Sequence, residues 1–260
     1  WTSMSKITEA FKKGKAFIPF LTAGDPDADS TVRYILAMTR AGADIIEIGI
    51  PFSDPTAEGP VIQEASLRAL EGGMTIDGVF DIVRRVREES DVPLVFMTYI
   101  NPVFFYGYEA FFSRCEELGV DGFISPDLPH EEKAEVADYA LRHGVEVISM
   151  VAPTSGDRIP EIVSDAEGFI YVVSSMGVTG VRDDITTDIR SLVAEVKKHT
   201  DLPAAVGFGI SEPEQAAYIA SLCDGVIVGS AIVRIIAGYR SEAEVTVASY
   251  VRRMKAAIAN

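Results

Sequence analysis

Eight short apolar segments recur along this chain of 260 residues, and each is followed by a stretch with helical periodicity. Apolar runs of this length, bounded by glycine, proline or aspartate, are typical of buried strands. Strands that alternate with helices form a parallel sheet, and eight repeats are enough for that sheet to close into a barrel. The predicted strands are residues 17–22, 44–49, 94–99, 121–125, 145–150, 168–173, 203–206 and 224–228.

We therefore predict an α/β fold: a single (β/α)8 TIM barrel over residues 1–260. We also expect an extra N-terminal helix and extra helices after strands two and eight. The alternative is an open, doubly wound sheet, which usually carries a G-x-G-x-x-G turn after its first strand. The corresponding turn here is Ala23-Gly24-Asp25-Pro26, which lacks that motif. No linker or low-complexity segment suggests a second domain, and α/β barrels of this length are common.

Charge and composition exclude several classes of function. The formal net charge of −16 argues against a nucleic-acid backbone as partner. It also repels a phosphorylated substrate, so a phosphate site has to rely on local groups. No run of 18 apolar residues predicts a membrane span, and the N-terminus lacks the apolar core of a secretory signal. Cys115 and Cys223 stand in no metal or redox spacing, which favours reduced thiols and a cytoplasmic location.

Two carboxylates frame the end of the second predicted strand. Glu47 interrupts an apolar strand, where a carboxylate is costly unless it is paired, hydrogen-bonded or used. Glu58 lies on the proline-rich loop that follows, and that loop can bring a second acid toward the same space. Carboxylates in different environments can act as general acid and general base. A buried ion pair at Glu47 and a merely stiff loop would explain the same residues, and that alternative stays open here.

Glycine-rich segments follow the last three predicted strands, and together they are typical of a phosphate site. Glycines let backbone amides approach an anion, a serine can donate its hydroxyl, and the start of a helix supplies unpaired N–H groups. Such a site needs no lysine or arginine, which suits an acidic protein. Each glycine alone could be an ordinary turn residue. The set, named the glycine cup below, comprises residues 177–180, 207–209 and 229–230.

The remaining candidate lining is apolar and aromatic. Together with a phosphate site it suits a flat aromatic substrate with a phosphate tail, although each residue alone could be barrel core. No Ser-His-Asp order, metal cluster or lysine placed for a Schiff base is evident, so the two acids are the best catalytic candidates. The lining candidates are Phe20, Met97, Tyr99, Tyr171 and Phe208.

Two further segments carry structural predictions. Arg84, Arg85 and Arg87 form a basic trio on a predicted helix, which is typical of a solvated face. Residues 101–107 are rich in aromatic side chains and end in glycine, and we predict a loop there.

Taken in order, these motifs resemble the alpha subunit family of tryptophan synthase. The resemblance implies a barrel that cleaves indole-3-glycerol phosphate to indole and glyceraldehyde 3-phosphate. It also implies a beta subunit, in an alpha2-beta2 complex, that holds pyridoxal phosphate and receives the indole through a tunnel, whereas the alpha chain itself binds no cofactor. The matching segments are residues 17–26, 47–55, 171–180, 207–210 and 229–232.

The resemblance also implies roles for single residues. Glu47 matches the strand-borne acid–base catalyst, which protonates indole C3 and then helps to remove the proton of the glycerol hydroxyl. Phe20 matches the phenylalanine that faces the indole, and Tyr171 matches the pocket tyrosine. The phosphate binders are matched by Gly180, Gly209, Gly229 and Ser230, and a residue of the mobile lid by Thr179.

Glu58 departs from the family pattern, in which the second acid is normally an aspartate followed by glycine and proline. The extra methylene moves the carboxylate by roughly 1.5 Å, whereas a catalytic site often tolerates only about 0.5 Å. Ser175, where many relatives carry arginine, is a second departure. Two alternatives therefore stand beside a lyase subunit of the complex. One is a stand-alone lyase that releases indole, and the other is a catalytically weakened chain that chiefly activates a beta subunit.

Overall fold

The computed structural model describes residues 4–174, 182–207 and 209–259, with residues 182–188 described by their backbone alone. Its strands are β1 Ala16–Thr22, β2 Ile46–Gly49, β3 Leu94–Met97, β4 Gly122–Ile124, β5 Glu146–Val147, β6 Ser149–Val151, β7 Ile170–Val173, β8 Ala204–Gly207 and β9 Gly225–Val228. Its helices are α1 Lys6–Lys12, α2 Ala28–Arg40, α3 Pro60–Glu71, α4 Ile76–Arg87, α5 Ile100–Tyr106, α6 Tyr108–Leu118, α7 Ala134–Arg142, α8 Ile159–Ser164, α9 Arg182–His199, α10 Pro213–Ala220, α11 Ser230–Tyr239 and α12 Glu244–Ile258. Of the helices described, none is long and apolar enough to cross a lipid bilayer.

The strands form one parallel sheet that closes through its fifth predicted strand. The order of strands is β5-β4-β3-β2-β1-β9-β8-β7-β6. β5 and β6 are the two halves of the fifth strand, separated at Ile148. β5 pairs with β4 and β6 pairs with β7, so the chain itself joins the two edges. The predicted eight-stranded barrel is confirmed, with one strand divided.

Alternate side chains of the strands fill the interior of the barrel, as the period of two requires. The interior residues of the strands are mostly β-branched or aromatic, and α1 closes the N-terminal end with Ile7 and Ala10. The Ser5 side chain caps α1 by accepting a hydrogen bond from the Thr8 N–H. The predicted extra N-terminal helix thus has a packing role, because it covers the barrel interior at the N-terminal ends of the strands.

Acidic side chains join the strands in pairs at the N-terminal end of the barrel. Each acid precedes one strand and accepts the N–H of a residue on the neighbouring strand. These bonds satisfy N–H groups at the sheet end that would otherwise be unpaired. The four bonds are Phe17 N to Asp44 (2.8 Å), Leu94 N to Asp121 (2.9 Å), Val147 N to Glu167 (2.9 Å) and Ala204 N to Asp224 (2.8 Å).

Arg87 contradicts the prediction of a solvated basic face. Its guanidinium donates to the carbonyl oxygens of Gly119, Ser90 and Val92 and pairs with Asp121 at 3.1 Å. Only 14% of the Arg87 side chain is exposed, whereas Arg84 forms exposed ion pairs on the surface. Arg87 lies in the last turn of α4, where the chain folds back toward β3. Its donors therefore satisfy carbonyls of that connection, a role that charge patterning does not reveal.

Asp121→Ala should destabilise the barrel by about 2–4 kcal/mol, because it removes the acceptor for Leu94 N–H and leaves the half-buried guanidinium of Arg87 without its carboxylate. Burial raises the pKa of Asp121 although Leu94 N–H and Arg87 oppose the shift. Asp121→Asn, which keeps an acceptor, should therefore cost less than alanine. Urea unfolding measures both. Asp81→Ala, which breaks an exposed ion pair with Arg84, is the control and should leave the urea midpoint nearly unchanged.

The prediction of a loop at residues 101–107 is wrong, because Ile100–Tyr106 form the helix α5. Pro102 lies in its first turn, where the missing N–H costs nothing and the fixed φ suits a helix. Gly107 ends it with a φ of 97°. Val103 is buried, whereas the rings of Phe104 and Phe105 are exposed. A helix so short leaves too few positions to reveal its period in the sequence.

Candidate active site

A cavity of about 590 Å³ opens at the C-terminal ends of the barrel strands. Parallel strands all end at this face, so loops from distant parts of the sequence meet there. Three predicted site residues, Thr179, Gly180 and Phe208, lie outside the described residues. Nine other predicted residues line the cavity: Phe20, Glu47, Glu58, Met97, Tyr171, Gly207, Gly209, Gly229 and Ser230.

Glu47 projects from β2 into the cavity floor. Its side chain is on the interior face of the sheet, between Phe20 of β1 and Val95 of β3 in register. The residue is 1% exposed, and its Oε2 has no hydrogen-bond partner among the described residues. Burial, and to a lesser degree the charge of Glu58, raises the pKa of Glu47 to about 8. At neutral pH this carboxyl therefore carries a proton that it can donate.

Glu58 approaches the same cavity from the loop between β2 and α3. Tyr99 holds that loop, since its hydroxyl accepts the N–H groups of Thr56 (3.2 Å) and Ala57 (2.9 Å). The Gln63 side chain donates to the Glu58 carbonyl at 2.7 Å. Tyr99, predicted to line the pocket, is instead a buried support of the loop and is absent from the lining.

Burial raises the pKa of Glu58 to about 7. The pKa values of Glu47 and Glu58 thus both lie near neutrality, and a group with such a pKa is effective in either donating or accepting a proton. The alternative that Glu47 forms a buried ion pair finds no support in the described residues, where no cation lies within pairing distance of it. The arrangement favours acid–base chemistry.

Two glycines make room for the rings that flank Glu47. A Cβ atom at Gly49 would lie 2.5 Å from Cζ of Phe20, and one at Gly207 would lie 2.5 Å from the hydroxyl oxygen of Tyr171. Each ring therefore projects over a neighbouring strand that carries no side chain at that point. Burial, followed by the charge of Glu47, raises the pKa of Tyr171 well above its ordinary value, so its hydroxyl stays neutral.

Gly207→Ala should lower the free energy of unfolding by about 1–3 kcal/mol, because the new methyl overlaps the Tyr171 ring, which supplies all three nearest atoms. A second change, Tyr171→Val, should recover part of that loss, and a double-mutant cycle measures the coupling. Gly209→Ala is the matched control, since a Cβ there meets no atom of the described residues within 4 Å. Additive effects at positions 171 and 207 would contradict the proposed contact.

The described part of the glycine cup lines the cavity where α11 begins. Gly229 is the N-cap of α11 and Ser230 is its first residue. The N–H groups in the first turn of a helix have no intrahelical partner, and they carry the positive end of its dipole. Gly209 lines the cavity from the loop after β8. This part of the site can therefore accept an anion through the main chain.

Sequence reasoning missed Arg234, which also lines the cavity. The cup was expected to need no cation, yet this arginine lies four residues after Ser230 on α11. The spacing of four residues along a helix that begins at a glycine–serine pair was the signal that could have identified it. Within the described residues, no group of three or more His, Cys, Asp or Glu side chains could hold a metal ion.

Comparison with known proteins gives a consistent result over nearly the whole chain. A family model described as "Tryptophan synthase alpha chain" matches residues 7–259. The tryptophan synthase alpha chain of Lacticaseibacillus casei is 49% identical over 255 residues, which are 98% of this chain and 96% of the relative. That of Caldanaerobacter subterraneus subsp. tengcongensis is 51% identical over 242 residues, 91% of this chain and 92% of the relative.

Solved structures agree with the fold. Tryptophan synthase subunit alpha from Legionella pneumophila str. Paris superposes with a TM-score of 0.90 at 36% identity, covering 98% of this chain and 99% of that one. A chain from the tryptophan synthase a2b2 complex of Pyrococcus furiosus gives a TM-score of 0.86 at 38% identity, covering 93% and 98%.

Proposed function

The chain belongs to the tryptophan synthase alpha chain family, and we propose that its cavity carries out the lyase reaction of that family. The reaction is the retro-aldol cleavage of indole-3-glycerol phosphate to indole and glyceraldehyde 3-phosphate. The observation that carries the proposal is the buried Glu47, whose pKa is raised to about 8, in a cavity that Gly209, Gly229 and Ser230 also line.

The proposed reaction begins with the proton of Glu47. Transfer of that proton to indole C3 removes electron density from the ring and prepares the bond between C3 and the glycerol side chain for cleavage. The resulting Glu47 carboxylate lies in an apolar environment, which makes it a good base. It then helps to remove the proton of the glycerol hydroxyl, so that a carbonyl forms as the carbon–carbon bond breaks and its electron pair returns to the ring.

The other lining residues position the substrate in this proposal. Glu58 accepts a hydrogen bond from the indole N–H, and Phe20 and Tyr171 pack against the ring. The phosphate group binds at Gly209, Gly229 and Ser230, and at Gly180 by the resemblance alone. The resemblance assigns Thr179 to the mobile lid, and Phe208 is proposed as part of the aromatic lining. These groups supply the acid, the base and the anion site. We therefore propose that the chain needs no cofactor and that pyridoxal phosphate belongs to the beta subunit.

Exposed aromatic rings on α5 suggest where the beta subunit binds. Phe105 is 82% exposed and Phe104 is 56% exposed, and their ring centroids lie 5.6 Å apart. α5 follows Tyr99, which holds the Glu58 loop. A partner that covers α5 would therefore contact a segment joined directly to the site. Alpha2-beta2 assembly, as in the Pyrococcus furiosus complex, is part of this proposal.

Phe105→Ser should weaken binding of the beta subunit by about tenfold or more, because the exposed ring would lose the area that it buries in the complex. Titration of labelled beta subunit measures the affinity. Leu141→Ser on α7 is the control, since Leu141 is 71% exposed and lies on another helix. Equal affinities for both variants and the unchanged protein would place the interface elsewhere.

The experiment that tests the function is an assay with indole-3-glycerol phosphate, in which indole and glyceraldehyde 3-phosphate are measured with and without the beta subunit. We expect slow release by the chain alone and a strong increase in the complex. Equal rates in both would indicate a stand-alone lyase. Glu58, where the family normally carries aspartate, favours one further candidate, an activator of the beta subunit. No turnover by the chain or by Glu58→Asp, with beta activity still raised, would support it.

A cytoplasmic location completes the proposal. Cys115 and Cys223 are both buried free thiols. Reduced cysteines are typical of proteins in a reducing compartment, where the phosphorylated substrate would also be found.

A further inference from the structure

We propose that Arg234, which lines the cavity, is a substrate-binding residue of this site, whose guanidinium binds the substrate phosphate. The inference rests on the proposed function and adds a residue to it. Among the described residues that line the cavity, Arg234 has the one cationic side chain, whereas Glu47 and Glu58 are the acids. The glycine cup therefore has a charged neighbour that its own motif does not include.

The position of Arg234 on α11 directs its side chain toward the cup. α11 begins at Ser230, and residues four apart share one face of a helix. Side chains of a helix tilt toward its N-terminus, so a long side chain covers the turn that precedes it. A guanidinium directed in this way would reach back over the first turn, where Gly229 and Ser230 line the cavity.

The guanidinium is also available to a ligand. Within the ranges that the structure describes, Arg234 forms no ion pair and no side-chain hydrogen bond. Arg68 shows the contrast, because both oxygens of Asp25 hold its guanidinium at 2.9 Å. An arginine that lines a cavity without such a partner can make a bidentate contact with a phosphate.

The charge of the protein makes such a residue useful. A net charge of −16 repels a phosphorylated substrate, and main-chain amides in the cup provide only partial charges. A guanidinium beside the cup supplies a full positive charge where the phosphate binds. The phosphate is remote from indole C3, so this contact acts equally on the bound substrate and the transition state. Loss of this contact should therefore raise KM and leave kcat nearly unchanged.

The experiment compares inorganic phosphate binding to the full chain with turnover of indole-3-glycerol phosphate. We expect Arg234→Gln to weaken phosphate binding about tenfold and to raise KM by a similar factor, with kcat within about twofold. Arg234→Lys, which keeps the charge but not the planar fork, should lie between. Arg252→Gln is the matched control, because it makes the same change of charge at an exposed position of α12 outside the cavity lining.

The salt dependence of phosphate binding distinguishes a charge contact from a purely structural role of Arg234. The Debye length is about 10 Å at 0.1 M salt, so added salt should screen the Arg234 contact and reduce the difference in phosphate affinity between the unchanged protein and Arg234→Gln. Equal affinity and equal salt dependence in the two proteins would overturn the inference, as would a lower kcat with unchanged phosphate affinity. Since phosphate binding needs no turnover, a chain that fails to cleave the substrate would refute the proposed function while still testing Arg234.

Discussion

We expect Glu47→Gln to abolish indole release, with kcat lowered by about 10³-fold or more. Glutamine keeps the size and shape of the side chain but has no acidic proton for indole C3 and no carboxylate to act as base afterwards. Both proton transfers of the proposed reaction depend on this one group, and acid–base catalysis by a single positioned group commonly contributes about 10²- to 10⁴-fold. A single-turnover assay with indole-3-glycerol phosphate measures the loss.

Phosphate affinity is the control for that variant. Glutamine at position 47 removes no main-chain N–H group of the glycine cup, so inorganic phosphate should bind to Glu47→Gln nearly as tightly as to the unchanged protein. Turnover retained within tenfold would remove Glu47 from its catalytic role. Loss of both turnover and phosphate binding would instead show that the whole cavity had been disturbed.

The same substitution should stabilise the fold at higher pH. The pKa of Glu47 rises from 4.5 to about 8 on folding, so the native state holds a proton that the unfolded state releases. Stability therefore falls as the pH rises from about 4.5 to about 8. Glutamine cannot ionise and avoids this cost, so the variant should gain a few kcal/mol relative to the unchanged protein by pH 8 and little at pH 4.5. Urea unfolding across this range would measure the difference, which a solvent-exposed Glu47 would not produce.

The barrel could be predicted because each strand is buried on both faces and therefore apolar throughout. That is why the eight segments stand out, and why Glu47 stands out within one of them. The division of the fifth strand at Ile148 could not be predicted, since it depends on how β4 and β7 approach the same segment. The helix α5 could not be predicted either, because it is short and its exposed rings follow no amphipathic pattern.

Sequence predicted those residues of the candidate site that stand out from their immediate neighbours in the chain. Glycines after strands and a carboxylate in an apolar run are such signals, and the structure brings Glu47, Gly209 and Gly229 to one cavity. The support of the Glu58 loop by Tyr99 joins residues more than 40 positions apart, and no local pattern reveals it. The roles of the site residues remain predictions, which the variants proposed here test.

Glu58 provides the second large effect: we expect Glu58→Gln to lower kcat/KM by about 10²-fold and Glu58→Asp by about tenfold. The loop is held at Thr56 and Ala57 by Tyr99 and at the Glu58 carbonyl by Gln63. With its backbone fixed in this way, the longer side chain of glutamate is what reaches the cavity. Aspartate would withdraw the carboxylate by roughly 1.5 Å and weaken its contact with the indole N–H.

The pH profile tests the same geometry independently of the rate. The charge of Glu58 contributes to the raised pKa of Glu47. A carboxylate that withdraws should lower the pKa of Glu47, so the activity of Glu58→Asp should decline at a lower pH than that of the unchanged protein. Tyr99→Phe is the matched variant, because it frees the loop. In that background an aspartate at position 58 can move inward, so the difference in activity between glutamate and aspartate at this position should become smaller. If Glu58→Asp were faster than the unchanged protein, the loop would be set for aspartate, and the weakened catalyst that activates a beta subunit would become the better description of this chain.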